Sequence, residues 1–205
     1  MRWAVLVGGT GSNLRAILES GFSVALVVSH REGVGALDIA AQHRVPSRVV
    51  SKRDFPERDA FDAELRRQLA EHAIDRVAMA GFLRWLTPAT IEQFPGAILN
   101  LHPSLLPAFP GLHAIERAYQ AGVPWSGVSV HFVDEGQDTG PVVAQIPVPR
   151  LPQDSLEEFR MRIQAAEHRL YPRVLRAIEQ GEAELQDGRV VYHTKGDTAW
   201  MHGHS

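Results

Sequence analysis

The chain has 205 residues, a formal net charge of −3 and no cysteine, and 44% of its residues are hydrophobic. These values are typical of a globular domain; they exclude disulfides and thiolate chemistry and give no general attraction to nucleic acid. No apolar run approaches the roughly 20 residues that cross a bilayer, and the start of the chain lacks a signal-peptide segment, so we expect a cytoplasmic protein without membrane contact.

The first half of the sequence alternates short apolar runs with helical spacing. Apolar runs bounded by turn residues predict strands at 3–7, 22–28, 47–50, 76–80 and 97–101. Apolar residues at intervals of three or four predict helices over 14–20, 35–43 and 59–72. Ser12 or Asn13 is expected to cap the first of these helices. The alternation predicts an α/β fold, with a mostly parallel, open, twisted sheet and helices on both faces.

The second half of the sequence is less regular. We predict a helix near 114–121, strands over 127–133, 142–148 and 189–193, and a long helix over 155–180. Ser155 and Glu158 have the spacing of a capping box, and Tyr171-Pro172 should kink or break the long helix. We predict one domain over 1–194, whose first half, 1–100, is Rossmann-like and binds phosphate. The tail, 195–205, shows no pattern and is expected to be mobile.

The turn Gly8–Asn13, GGTGSN, follows the first predicted strand. Backbone N–H groups of such a turn, followed by a helix N-terminus, can bind phosphate or carboxylate. The turn is not a dinucleotide fingerprint, because Leu14 stands where a third glycine is needed, and it is not a Walker loop, because no lysine follows. A tight structural turn without a ligand remains the alternative interpretation.

Asn100 and His102 stand two residues apart at the end of a predicted strand and therefore point to the same side. An amide and an imidazole aimed at one point can hold a developing oxyanion. Pro103, Pro107 and Pro110 would stiffen the loop that follows. The alternative is that Asn100 closes a turn and His102 is an ordinary buried histidine.

Asp138 lies in a second turn-rich segment, GQDTGP. Beside His102 its carboxylate would raise the histidine pKa and favour the imidazolium form; the alternative is an Asx-turn. His113 and His131 could be combined with His102 as metal ligands, but the spacings match no ligand pattern, and we predict no metal. No GxSxG motif is present, which disfavours a serine hydrolase.

Two long segments, LNLHPSLLPAFPGLH (99–113) and SGVSVHFVDEGQDTGPVVAQ (126–145), closely resemble the folate-dependent formyltransferases. Shorter motifs extend this resemblance over nearly the whole chain: GSNL at 11–14, AGFLRWL at 80–86 and EHRLYP at 167–172. Within the family, the chain is most similar to the enzymes that formylate 5′-phosphoribosylglycinamide. The resemblance implies the formyltransferase fold and makes 101–194 the folate-binding and catalytic half.

The activity implied by this resemblance is transfer of a formyl group from 10-formyltetrahydrofolate to the amine of 5′-phosphoribosylglycinamide, in purine biosynthesis and without a metal. The expected partners are these two small molecules, and the enzyme is expected to be a monomer or a homodimer. Methionyl-tRNA formyltransferases and formyltetrahydrofolate deformylases carry a further domain, for which we expect this chain to be too short. A phosphosugar- or folate-binding protein on the same fold remains a non-enzymatic alternative.

The resemblance also implies roles for individual residues. Asn100, His102 and Asp138 match the catalytic trio of the family. The residues expected to contact the phosphoribosyl substrate are Gly11, Ser12, Asn13 and Glu167. The residues expected to contact the folate are Arg58, Leu83, Arg84, Trp85, Leu86, Asn100, Val133 and Asp138. Trp85 departs from the family pattern, which has a smaller aliphatic residue there, so the pocket wall is expected to differ at that position.

Overall fold

A computed structural model describes residues 1–193, which form six helices and nine strands. In chain order the elements are β1 (Trp3–Val7), α1 (Ser12–Glu19), β2 (Leu26–Ser29), α2 (Gly35–Gln42), β3 (Ser47–Val49), α3 (Arg58–Glu71), β4 (Arg76–Ala80), α4 (Pro88–Gln93), β5 (Ile98–His102), α5 (Ala114–Gln120), β6 (Trp125–Phe132), β7 (Val142–Pro149), α6 (Leu156–Glu179), β8 (Ala183–Gln186) and β9 (Arg189–Tyr192).

Seven strands form one sheet in the order β3-β2-β1-β4-β5-β6-β7, and β8 pairs with β9 in a separate hairpin. β1 pairs in parallel with β2 and with β4, and β2 pairs in parallel with β3. β6 and β7 are antiparallel, with an irregularity in register between Val130 and His131. The prediction of an α/β fold with a mostly parallel sheet is therefore confirmed. By compactness the chain divides into two units, one of residues 1–99 and one that begins at Asn100.

The first unit is built around β1, whose five residues are all fully buried. A strand that is apolar on both faces is typical of a parallel sheet covered on both sides. α3 buries Phe61, Leu65 and Leu69, the three residues whose spacing predicts that helix. α2 contacts β2 and β3, which closes this part of the core.

The second unit is built around the long helix α6, which contacts β6, β7 and β8. Ser155 and Glu158 form the predicted capping box: the Glu158 N–H donates to Ser155 Oγ, and the Ser155 N–H donates to Glu158 Oε2. The predicted break at Pro172 is wrong, because α6 continues through this residue to Glu179. Pro172 and its neighbour Tyr171 are buried, so packing favours the helix despite the lost backbone hydrogen bond.

Other boundaries also differ from the predictions. Gly11, and neither Ser12 nor Asn13, is the N-cap of α1, with a φ of 85°. The second strand is confined to Leu26–Ser29, and α4 and β8 were not predicted. α4 has only six residues, half of them apolar, and β8 has only four, so both elements are too short for their period to be recognised in the sequence. The predicted mobile tail, 195–205, lies outside the described residues.

Within residues 1–193, no helix combines the length and the apolar character that a membrane crossing requires.

Candidate active site

Asn100 and His102 lie on β5, as the third and fifth residues of that strand. Their apolar neighbours Ile98, Leu99 and Leu101 are buried. His102 is also buried, whereas Asn100 is only half-buried. The strand thus ends in two polar side chains, one of which reaches solvent.

The loop after β5 fixes one nitrogen of His102. Nε2 of His102 lies 2.9 Å from the Phe109 carbonyl oxygen, which can only accept, so Nε2 carries a hydrogen and donates it. The Ser104 hydroxyl donates to the Ala108 carbonyl at 2.5 Å and closes the loop on itself. The proline loop is therefore a folded structure that presents one carbonyl to the histidine.

Asp138 lies in the loop between β6 and β7 and faces both residues of the pair. Its Oδ2 accepts from the Gly111 N–H at 2.7 Å and lies 3.4 Å from Nδ1 of His102. Its Oδ1 lies 3.4 Å from Nδ2 of Asn100. The backbone of Asp138 has a φ of 55°, a left-handed conformation that aspartate tolerates better than most residues. The structure thus brings together the three residues of the predicted trio.

The Asp138 loop returns closely onto β6. A Cβ atom on Gly140 would lie 1.9 Å from the Phe132 carbonyl oxygen, so only glycine fits there. At the start of the loop, the Asp134 carboxylate accepts from the Gly136 N–H and the Thr139 hydroxyl, at 3.0 and 2.8 Å. These contacts hold the backbone that aims Asp138.

His131 is a fourth member of this cluster. It is buried on β6, its Nδ1 lies 2.8 Å from the Phe132 carbonyl oxygen, and its Nε2 lies 3.1 Å from Nδ2 of Asn100. Nε2 is also 3.6 Å from Oδ1 of Asp138. From the sequence His131 is a candidate only as a metal ligand; its place on a strand seven residues before Asp138 does not by itself reveal contact with Asn100.

The pKa values of the two ionisable residues of the trio, His102 and Asp138, are both lowered, but for different reasons. Burial lowers the pKa of His102 below its ordinary value, while the hydrogen bond to the Phe109 carbonyl and the charge of Asp138 raise it without offsetting the burial. Burial alone raises the pKa of Asp138, but a hydrogen bond from protonated His131, the Gly111 N–H and the charge of protonated His102 outweigh it at low pH and lower the pKa to about 2. The carboxylate is therefore ionised at neutral pH.

The predicted effect of Asp138 on the His102 pKa is present, but it does not decide the net shift of that pKa in the free protein. Asp138 acts on the His102 pKa in the predicted direction, but burial acts more strongly in the opposite one. The sequence alone indicates that Asp138 lies near His102 and that its charge raises the His102 pKa. It does not give the depth at which the His102 ring is buried, which depends on the loop that covers the ring.

A metal triad of His102, His113 and His131 does not form. The side chain of His113 is 76% exposed, whereas His102 and His131 are buried beside Asp138. Among residues 1–193, no group of three or more histidine, aspartate or glutamate side chains is arranged to hold a metal ion.

The glycine turn lies in the first unit, between β1 and α1. Gly11 needs its left-handed φ of 85°, and a Cβ atom there would lie 2.6 Å from the Ala36 Cα. The first turn of α1 contains no acidic residue, which leaves the helix N-terminus electrostatically open to an anion. Beside the turn, His30 donates from Nδ1 to the Val7 carbonyl at 3.1 Å, and its ring packs against Gly8.

Leu83–Leu86, predicted to contact the folate, lies in the loop between β4 and α4. Leu83 is 60% and Trp85 53% exposed, whereas Leu86 is buried. The Arg58 guanidinium donates to the Leu86 carbonyl at 2.8 Å, and that of Arg84 lies 3.9 Å from the centre of the Phe61 ring. The loop therefore presents two exposed apolar side chains on a backbone that Arg58 holds.

Glu167 and Val133 are the remaining residues predicted to contact a substrate, Glu167 the phosphoribosyl compound and Val133 the folate. Glu167 is buried on α6, and Val133 is half-buried directly after β6. Both belong to the second unit, with Asn100, His102 and Asp138.

Comparison with known proteins identifies the family. Residues 1–175 match the family model described as formyl transferase. The chain belongs to the formyl transferase family.

Individual members of the formyl transferase family agree with this assignment. The phosphoribosylglycinamide formyltransferase of Escherichia coli (strain K12) is 36% identical over 209 residues, which cover 99% of this chain and 94% of the relative. The crystal structure of glycinamide ribonucleotide transformylase 1 from Symbiobacterium toebii superposes with a TM-score of 0.90 at 40% identity, and covers 94% of this chain and 93% of that one.

Some relatives in the formyl transferase family are much longer. The trifunctional purine biosynthetic protein adenosine-3 of Drosophila melanogaster is 43% identical over 190 residues, which are 89% of this chain. The match covers only 14% of the Drosophila protein, so this chain corresponds to a small part of it.

A second layer of side chains supports the proline loop and was not predicted from the sequence. Ser129 is fully buried; its hydroxyl donates to the Ser104 carbonyl at 2.6 Å and accepts from the Leu106 N–H at 3.0 Å. Gln145 donates from Nε2 to Ser129 Oγ at 2.8 Å and to the Leu106 carbonyl at 3.0 Å. These contacts tie β6 and β7 to the loop that holds His102, a link between distant residues that local pattern does not reveal.

Proposed function

We propose that this formyl transferase moves the formyl group of 10-formyltetrahydrofolate to the amine of 5′-phosphoribosylglycinamide, in the cytoplasm. The observation that carries this proposal is the cluster of Asn100, His102 and Asp138, in which the Asp138 carboxylate lies 3.4 Å from each of the other two side chains, in a chain of this family. Relatives named for this reaction match nearly the full length of the chain, which supports the choice of substrates.

In the proposed reaction the neutral amine attacks the formyl carbon and forms a tetrahedral intermediate. The bond from this carbon to N10 of the folate then breaks. One proton leaves the attacking nitrogen, and one reaches N10, so the reaction is balanced without a metal or redox partner. A free α-amino group has a pKa of about 7.7–8.0, so a useful fraction is neutral at cellular pH.

Asn100 is proposed to stabilise the oxyanion of this intermediate. Its half-buried carboxamide carries two hydrogens, of which one points to Nε2 of His131 at 3.1 Å. The second has only a long contact, 3.4 Å to Oδ1 of Asp138, which leaves it available to a developing oxyanion.

His102 and Asp138 are proposed to act through the nitrogen Nδ1. The Phe109 carbonyl keeps a hydrogen on Nε2, so in the neutral ring Nδ1 has a lone pair. This lone pair faces the ionised carboxylate of Asp138 at 3.4 Å. A proton released during the attack would be stabilised on Nδ1 by that carboxylate, and Nδ1–H could then donate to the oxyanion.

The remaining predicted contacts are part of the same proposal. Gly11, Ser12 and Asn13 would bind the phosphate with backbone N–H groups at the start of α1, and the polar side chains of Ser12 and Asn13 would add hydrogen bonds to it. Glu167 would contact the glycinamide part. The exposed side chains of Leu83 and Trp85 would pack on the folate, and Arg58, Arg84, Leu86 and Val133 are proposed as further folate contacts. The large indole of Trp85 adds aromatic contact area, which suits a flat pterin ring.

The test is direct formyl transfer by the purified chain. We expect incubation with 5′-phosphoribosylglycinamide and a stable 10-formyl deazafolate to give N-formylated product by mass spectrometry and the deformylated folate by absorbance. His102→Ala is the matched control and should remove most of the rate. If the wild-type chain at stoichiometric concentration formed no product while both compounds bound, the proposed reaction would be wrong.

A further inference from the structure

His131 is the one member of the cluster to which the proposed reaction gives no task. Its ring is 2% exposed, and it contacts Asn100 directly. The inference below rests on the proposed role of Asn100 and concerns how that side chain is aimed.

The contacts of His131 determine which tautomer of its neutral ring forms. Nδ1 lies 2.8 Å from the Phe132 carbonyl oxygen, which can only accept a hydrogen bond. Nδ1 must therefore carry the hydrogen, and in the neutral ring Nε2 is left with its lone pair. The buried backbone carbonyl thus makes Nε2 an acceptor.

This acceptor fixes the orientation of the Asn100 carboxamide. The amide nitrogen of Asn100 can only donate, and it lies 3.1 Å from Nε2 of His131 and 3.4 Å from Oδ1 of Asp138. Both neighbours are acceptors when the histidine is neutral. If the carboxamide turned over, its oxygen would face a lone pair on one side and an ionised carboxylate on the other, which is unfavourable.

We propose that His131 is a positioning residue that, as the Nδ1–H tautomer, accepts a hydrogen bond from Asn100 and keeps the amide nitrogen on the reacting side. Asn100 can then donate its other hydrogen to the oxyanion without first rotating. A carboxamide free to turn over would present its oxygen, which repels the oxyanion, for part of the time.

The first test measures the tautomer and needs no turnover. In a ¹⁵N NMR spectrum of the full chain at neutral pH, Nδ1 of His131 should have the shift of a protonated ring nitrogen and Nε2 that of an unprotonated one. A scalar coupling across the hydrogen bond should link Nε2 to the Asn100 amide nitrogen. A proton on Nε2 in the folded, unliganded protein would overturn the proposal, whether or not the chain transfers formyl groups.

The second test compares two substitutions at the same site. His131→Leu removes the acceptor and puts an apolar side chain of similar size in its place, whereas His131→Gln places an amide oxygen near the position of Nε2. We expect His131→Leu to lower kcat about 10- to 100-fold with both KM values nearly unchanged, because misaligned catalytic groups cost rates of this order. His131→Gln should recover most of the loss.

A double-mutant cycle separates positioning from a general structural role. In an Asn100→Ala background, His131→Leu should cause little further loss of kcat, since the group it positions is already gone. Thermal unfolding of each variant shows whether the fold persists. Three outcomes would each contradict the proposal. They are a wild-type kcat in His131→Leu, equal losses of kcat in the Leu and Gln variants, and fully multiplicative losses of kcat when His131→Leu is combined with Asn100→Ala.

Discussion

Nδ1 of His102 lies 3.4 Å from Oδ2 of Asp138, while Nε2 of the same ring donates to the Phe109 carbonyl at 2.9 Å. Both ring nitrogens thus face acceptors, an arrangement that favours a doubly protonated ring, yet burial holds the His102 pKa below its ordinary value. The lowered pKa favours the neutral imidazole in the free protein, whereas the Phe109 carbonyl and the Asp138 carboxylate favour a proton on the ring.

The first prediction concerns the charge of Asp138. Asp138→Asn removes the carboxylate but keeps the size of the side chain, and asparagine tolerates the φ of 55° at this position. Because the carboxylate raises the pKa of His102, its removal should lower that pKa further. An NMR titration of the His102 ring in both proteins measures the change, and formyl transfer should fall in parallel.

Glu135→Gln is the matched control for this titration. It removes one negative charge from the same loop, but the side chain is exposed. We expect an unchanged His102 titration in this variant. A His102 pKa that stayed constant or rose in Asp138→Asn would leave the carboxylate with a different role, such as holding the loop through the Gly111 N–H.

The second prediction concerns the oxyanion donors. Asn100→Ala or His102→Ala should lower kcat by about 10²-fold or more, by analogy with the loss of one oxyanion donor. Substrate binding should largely survive, since the phosphate contacts and most of the folate contacts are proposed on residues other than Asn100 and His102. Steady-state kinetics together with titration calorimetry separates the two effects; a rate within a few-fold of wild type would refute the catalytic assignment.

Most of this fold can be predicted from the sequence because its strands are apolar runs with clear boundaries at turn residues. β1 and β4 have the predicted bounds, and α3 has the predicted apolar face, because buried runs and helical periods are local properties. The Asn100, His102 and Asp138 cluster was predicted by resemblance. The contact of His131 with Asn100 and the hydrogen bonds from Ser129 and Gln145 to the proline loop were not, because they depend on register between strands, which no local pattern specifies.

In the glycine turn, Gly11 shows the same limit of prediction from local sequence pattern. The spacing of Gly8–Asn13 predicts a turn and an anion site, but not that α1 begins directly after a left-handed Gly11 packed against Ala36. This packing matters for mutagenesis, because a bulky residue at Gly11 would disturb the fold as well as any phosphate contact.

The third prediction therefore separates backbone strain from steric conflict at Gly11. Gly11→Ala must adopt a φ near 85° and bring its Cβ to 2.6 Å from the Ala36 Cα. Gly21→Ala has a similar φ of 78° but no atom within 4 Å of the new Cβ. Chemical denaturation should show a loss of about 1 kcal/mol for Gly21→Ala and a clearly larger loss for Gly11→Ala. Equal losses would show that the turn relaxes away from Ala36.

The fourth prediction tests the proposed phosphate site by removing the polar side chains of Ser12 and Asn13. Ser12→Ala and Asn13→Ala keep the backbone N–H groups and remove polar side-chain atoms at the start of α1. We expect KM for 5′-phosphoribosylglycinamide to rise while KM for the folate stays constant. The substrate without its phosphate should bind wild type and variants equally weakly, and a rise in both KM values would indicate general damage.

The last prediction follows from the ionisation of Asp138. Its pKa falls from 3.8 to about 2 on folding, so the folded state binds fewer protons than the unfolded state between these values. The carboxylate therefore stabilises the fold fully above its unfolded pKa, and this contribution is lost as the pH falls through the folded pKa. A shift of this size corresponds to about 2 kcal/mol.

In urea denaturation, the pH dependence of the unfolding free energy below pH 4 should be less steep for Asp138→Asn than for wild type. Glu135→Gln should retain the wild-type slope. Parallel curves for Asp138→Asn and wild type would mean that the carboxylate gains no net stabilisation from Gly111, His131 and His102 in the folded state.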